Sequence, residues 1–503
     1  MIANDLMNLG ATDIAALIAK GELGAREVTD AKIAVIAQRN PQLNALVAQR
    51  FDAARAEARA IDARRARGES LPPLAGVPTT IKDVIDVEGL PSTSGLATRR
   101  DHRAAADDYA VATLKQAGAI VLGKTNVAQL LIFVETDNPL HGRSNHPLDA
   151  ARTPGGSSGG EAALIAAGGS ALGLGTDVGG SVRVPAAFCG IASIKPTAGR
   201  LPDTGRLSVA PGQLGVQSQL GPMARRVDDV EAALRVLNPA HVALPASRSV
   251  DVSRLRVGVY EHDGLFLASP GVRRAVREAA GVLKAAGATV VEFKLPDPSE
   301  PQAIFYGSLS ADGGAHMKRL LQGNKKDVRV AQLLLSSSLP GPLRRGLASL
   351  VRSLGQRHLS AVLDGVGGRS IDELFQLVDR QADYRLRFEQ AMETSDAGPL
   401  DLLIGPPVAT PAFLHGATKD LGLPGIYSLL YNVLGFPAGV VPMGKVEPGE
   451  ESDRPRSKDM AEKAAAKSEA HSAGLPLGVQ VAGRPWHEHQ VLAAMRALEA
   501  AST

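Results

Sequence analysis

Three patterns in this chain are of a type and spacing that could carry chemistry: an amine inside an apolar run, hydroxyls set between glycines, and an acid and a base on either side of the second such hydroxyl. Lys82 interrupts the apolar stretch TTIKDVI. A lysine in a strand ordinarily turns its amine to water. Enclosed instead, it loses the stabilisation of its charge, and its pKa falls far enough for it to act as a base at neutral pH. Ser157 and Ser158 lie between glycine pairs in PGGSSGG, and Ser181 lies in DVGGSVR. Glycines ahead of a serine let several backbone N–H groups converge on one point, a nest suited to an oxyanion. A serine hydroxyl is a poor nucleophile without a base. No histidine is placed by sequence to serve it, so Lys82 is the candidate. Asp177 and Arg183 flank the Ser181 turn and read as its braces. The single cysteine, Cys189 in AAFCGI, reads as a small buried hydrophobe rather than a nucleophile.

Other motifs point elsewhere and fail on context. Gly118–Thr125, GAIVLGKT, satisfies the phosphate-binding pattern G-x-x-x-x-G-K-T. Its intervening residues are Ala, Ile, Val and Leu, which belong inside a strand with their N–H groups committed to the ladder. Gly155–Gly159, GGSSG, satisfies the nucleophile-elbow pattern, but an elbow follows a buried strand directly, and here DAARTP precedes it. The 11 histidines are scattered and H-E-x-x-H is absent, so no metal site is expected.

The elements that must position these residues read as alternating. Helices are predicted at Ile14–Lys20, capped by Asp13 and stopped by Gly21, at Arg26–Gln38 and at Asp52–Arg67. From Gly76 onward VPTTIKDVIDV and AIVLG read as strands, with helical patterns at Ala110–Gln116 and Val127–Ile132. LRVGVY, TVVEFKL, DLLIGPPV, FPAGVVPM and LPLGVQVAG read as later strands. Val272–Ala286 and His489–Ala500 read as helices, and residues 300–400 as mainly helical. Such alternation predicts an α/β fold. Glycine at the density seen over 151–200 predicts backbone folded tightly around something. The 503 residues are 44% apolar and 21% charged with a net charge of +3, which excludes a disordered chain and gives no reason to expect nucleic acid. One cysteine excludes an internal disulfide. MIANDLMNLG does not read as a secretory signal, and no run approaches about 18 apolar residues, so a cytoplasmic protein without a membrane span is expected.

GVPTTIKDV, GKTNVAQ, PGGSSGGEAAL and GTDVGGSVRVPAAFCGIASIKPT resemble the amidase signature family. The resemblance implies a large central mixed β-sheet covered by helices on both faces. Residues 1–70 read as a helical region packed on the core and the polar stretch 445–473 as a surface insertion, and the resemblance implies a catalytic domain at 71–503 with a helical cap at 300–395. It implies Ser181 as nucleophile, Ser157 as a bridging serine after a cis peptide bond, Lys82 as ultimate base, and an oxyanion hole from the N–H groups of Val178, Gly179, Gly180 and Ser181. Ser158, Asp177 and Arg183 would support the site, with no cofactor or metal. Phe305–Gly314 and Tyr427–Pro442 resemble the fatty acid amide hydrolase branch, implying hydrolysis of hydrophobic or aryl acyl amides, with carbamate and ester cleavage beside it. The alternative is a glutaminase-type A subunit of a tRNA-dependent amidotransferase. Amidases of this kind often pair as homodimers. Leu343, Leu347, Leu350, Val351 and Leu354 recur at helical spacing within 339–363. The expectation is a lid turned to the protein's own core, in preference to a weak peripheral membrane contact.

Overall fold

Short β-branched runs bounded by glycine become the strands of one 11-stranded mixed sheet. The computed structural model describes residues 6, 8–203, 206–422 and 425–502, so most of the leader reading at the N-terminus lies outside the described residues. The strands are β1 (Leu46–Gln49), β2 (Pro78–Lys82), β3 (Ile120–Thr125), β4 (Leu172–Asp177), β5 (Ala192–Lys195), β6 (Gln219–Ala224), β7 (Arg256–Val259), β8 (Thr289–Glu292), β9 (Leu402–Gly405), β10 (Ala438–Lys445) and β11 (Pro476–Gly483). Their order across the sheet is β1-β3-β2-β4-β6-β5-β10-β11-β9-β7-β8. The blocks β3-β2-β4 and β9-β7-β8 run parallel internally, and the remaining pairings are antiparallel. Strands β2 to β6 and β9 are buried along their whole length, as central strands covered on both faces must be.

IVLGKT of this motif is β3, its backbone paired to β2 and β1, and the Gly118 and Ala119 N–H groups donate to the Lys115 and Leu114 carbonyls, so the motif is not free to cradle phosphate. The helix expected at Ile14–Lys20 runs Ala11–Lys20 and so begins one turn earlier. Gly10 is its cap, and Asp13 accepts from the Gly10 N–H; Gly21 stops it at φ 78°. Val127–Ile132 does not continue as an α-helix. A short 3₁₀ turn, Gln129–Leu131, forms instead, with Leu130 at φ 54°. The backbone N–H groups of Gln129 and Leu130 donate to Asp137 and Ser94 carbonyls rather than along a helix.

The helix Gly341–Ser353 corrects the lid expectation. It buries Arg344 and Ala348, while Leu343, Leu347, Leu350 and Leu354 are exposed. The insertion at 445–473 is also more than a surface excursion. It folds into the helix Met460–Glu469, and Arg454 is buried against Glu469 and Glu462 at 2.8 and 2.7 Å. Among the described residues, no helix is long and apolar enough to cross a membrane.

Candidate active site

Parallel pairing of β2 with β4 brings the carboxyl ends of both strands to one edge, where open α/β sheets bind ligands. β2 ends at Lys82, and β4 ends at Thr176–Asp177. Lys82 is fully buried. Its Nζ lies 2.8 Å from Ser157 Oγ, 2.9 Å from Thr176 Oγ1 and 3.2 Å from the Thr176 carbonyl oxygen. Burial pushes the Lys82 pKa down to about 7, against the pull of the Asp177 and Glu161 carboxylates. An amine poised there is neutral for much of the time at physiological pH.

Gly156–Ser157 is a cis peptide bond, as the family resemblance implies. Ser158 follows at the N-terminus of the helix Gly159–Ala166. Its N–H donates to the Ser181 carbonyl at 3.1 Å, and its hydroxyl to the Thr176 carbonyl at 3.3 Å. These bonds tie the serine pair to the Ser181 turn. Ser157 and Ser181 both face one cavity, but no hydrogen bond joins their hydroxyls among the described residues.

The turn after β4 is held by Asp177, which accepts from the Gly180 N–H at 2.7 Å and the Val182 N–H at 3.2 Å. Arg183 meets the same carboxylate through Nε at 3.0 Å and Nη2 at 2.9 Å. Both side chains are fully buried. Burial works to raise the Asp177 pKa, yet the Arg183 guanidinium and the Asn432 amide outweigh it and hold the carboxyl well below its usual range. Arg183 also donates to Gln480, Asn432 and the Ser428 carbonyl, so every edge of this ion pair is satisfied. The Gly180 N–H is therefore engaged by Asp177, which removes it from the expected oxyanion donors. Val178, Gly179 and Ser181 line the cavity.

Beneath Lys82 lies a carboxylate that sequence reading does not single out. Glu161 accepts from Thr80 Oγ1 at 2.6 Å and Thr125 Oγ1 at 2.8 Å. Thr80 is two residues before Lys82 on β2, and Thr125 pairs with Lys82 across from β3, so both hydroxyls belong to the lysine's own sheet face. Gly173 makes room for the carboxylate, since a Cβ there would lie 2.4 Å from Glu161 Oε2. Burial raises the Glu161 pKa to about 7, even with these hydrogen bonds and the Lys82 charge lowering it. A lone acid inside the apolar run GGEAALIA was the available signal. Thr176, which holds the lysine amine with two oxygens, gave none.

The cavity above these groups has a volume of about 730 Å³. Leu130, Phe133, Val178, Phe305, Leu309 and Leu333 contribute to a largely apolar wall. Of its basic residues, Arg206 is paired to Asp203, and Arg329 to Glu135, Asp137 and Asp327, while Lys419 is exposed. Cys189 is buried away from the site, and burial pushes its thiol pKa up, so it is unreactive.

Comparison with known proteins places this geometry in a family. A family model described as Amidase matches residues 27–492. Fatty-acid amide hydrolase 1 of Sus scrofa is 38% identical over 451 residues, covering 86% of this chain and 76% of that protein. The A subunit of the glutamyl-tRNA(Gln) amidotransferase of Roseiflexus castenholzii is 34% identical over 494 residues, covering 95% and 92%. The solved structure of a fatty acid amide hydrolase matches with a TM-score of 0.85 at 23% identity, over 99% of this chain and 85% of that one. A bacterial aryl acylamidase matches at 0.75 with 26% identity, over 98% and 96%. The chain belongs to the amidase signature family and is a hydrolase acting on amides.

Proposed function

We propose that this amidase cleaves hydrophobic or aryl acyl amides through Lys82, Ser157 and Ser181, with carbamate and ester cleavage as lesser activities. The observation that carries the reading is the 2.8 Å contact of a buried amine with Ser157 at the floor of an apolar cavity. Neutral Lys82 takes the Ser157 proton as Ser157 takes that of Ser181, and Ser181 Oγ bonds to the carbonyl carbon. The link between the two hydroxyls tightens when substrate fills the site. N–H groups of Val178, Gly179 and Ser181 receive the oxyanion. The C–N bond then breaks, and the proton held on Lys82 returns through Ser157 to the leaving nitrogen. Water releases the acyl group from Ser181 as a carboxylic acid.

The reading as a component of an amidotransferase is supported by relatives that match nearly full length. Against it stands the largely apolar cavity wall, whose two arginines are already paired with carboxylates, so that the exposed Lys419 alone is left among its lysines and arginines to meet an amino acid's carboxylate. The test is a chain-length series of acyl p-nitroanilides run beside glutamine and an aryl carbamate, with Ser181→Ala as control. Medium or long acyl anilides should have the highest kcat/KM and the control none. Preference for glutamine would displace the reading.

A further inference from the structure

The insertion and the cap meet at a joint that also forms cavity wall. Gln356, at the turn between the helices Gly341–Ser353 and Arg357–Gly365, donates from Nε2 to the Lys458 carbonyl at 2.8 Å and accepts the Met460 N–H at 2.9 Å. Asp459 serves two helices at once. Its Oδ1 accepts the Ala461 N–H at 2.9 Å, capping the helix Met460–Glu469, and its Oδ2 accepts the His358 N–H at 3.1 Å, in the first turn of Arg357–Gly365. The His358 ring meets Phe266 edge-on at 5.1 Å, and the Arg454 guanidinium lies over that phenyl ring at 4.4 Å. A polar surface loop has no need of such anchoring.

Gln356, His358, Leu359, Asp459, Met460 and Ala461 line the same cavity as Ser157 and Ser181. Ser181 is 6% exposed and Met460 46%, so the one lining includes a buried reacting end and a joint that faces solvent. We propose that this joint, with Met460 at its rim, is the end-wall that sets which acyl chain lengths the enzyme accepts. The inference rests on the hydrophobic-acyl reading above. Its physical content is that a chain reaching the joint gains the apolar surface of Met460 and Leu359, and a longer one must displace a hydrogen-bonded wall.

Met460→Trp and Gln356→Ala test it, with kcat and KM measured across the acyl series and, separately, calorimetric binding of free fatty acids of graded length. Met460 is half exposed, so its replacement leaves the fold intact. Met460→Trp should lower kcat/KM by at least about tenfold for the longest accepted chains while leaving the shortest unchanged, and should shorten the longest fatty acid bound. Gln356→Ala should flatten the length preference, mainly through KM. An unchanged length profile in both variants, or an equal loss at every length, overturns the assignment. A wild-type enzyme that binds fatty acids by length but cleaves no acyl anilide contradicts the functional reading instead, and leaves the wall assignment to the binding series, where an unchanged limit in Met460→Trp overturns it.

Discussion

At the scale of single residues, the proposed mechanism depends on how burial divides protons between an amine and a carboxylate. Lys82 and Glu161 lie on one sheet face, Lys82 pushed down to about 7 and Glu161 up to about 7 by burial, each restrained by the other's charge. Groups so coupled titrate as a pair. The charges facing Lys82 are Asp177, Glu161 and Asp83, which favour its proton, and Arg206, which opposes it. Removing one acid therefore lowers the amine's proton affinity. In Glu161→Gln the acid limb of kcat/KM should move to lower pH by roughly one unit, and an unmoved limb would show that Glu161 exerts no charge on the base. The grouping of the candidates Lys82, Ser157 and Ser181 was legible because each breaks a local rule: a cation in an apolar strand, hydroxyls in glycine beds. Thr176 was hidden, because a threonine next to an aspartate at a strand end breaks none. The engagement of Gly180 by Asp177 was hidden too, since which N–H a carboxylate takes is a matter of angles rather than composition.

At the scale of elements, the turn after β4 is shaped by what packs on it. A Cβ at Gly179 would lie 2.7 Å from Phe305 Cζ, so the ring from the helix Ser299–Leu309 rests directly on the turn proposed to receive the oxyanion. Gly179→Ala should cost on the order of a hundredfold in kcat, the scale of a misplacement of about 1 Å, and Phe305→Ala added to it should recover part of the loss. Equal activity of Gly179→Ala and wild type would separate the ring from the turn. Hydrophobic period located β7, β8, β9, β10 and β11 and the helix Glu488–Ser502 within a few residues. It missed β6, Gln219–Ala224, whose apolar run is interrupted by Gly221 and Pro222 although the strand lies between β4 and β5. It also chose the wrong face of Gly341–Ser353. Arg344 and Ala348 repeat at helical spacing as the leucines do, and period alone does not say which stripe is covered.

At the scale of the whole molecule, residues far apart in sequence converge on one cavity. Ser157 and Ser181 come from the glycine-rich block, Phe305 and Leu333 from the cap, and Met460 from the insertion, while Lys82 touches the site from β2 through Ser157. The core block was readable from local texture, whereas the cavity wall was not, since it is assembled from segments that no sequence neighbourhood joins. In the proposed mechanism, what unites them is a buried amine that must be uncharged to work. The most direct measurement is the pH dependence of wild-type kcat/KM on a good acyl anilide, with Lys82→Ala alongside. The protonated amine cannot accept a proton, so below its pKa of about 7 the rate should fall about tenfold per pH unit and level off above it, and Lys82→Ala should lose most activity along with that limb. A wild-type rate that stays flat through this range while chemistry is limiting, or a Lys82→Ala enzyme that keeps the same profile, would contradict the account.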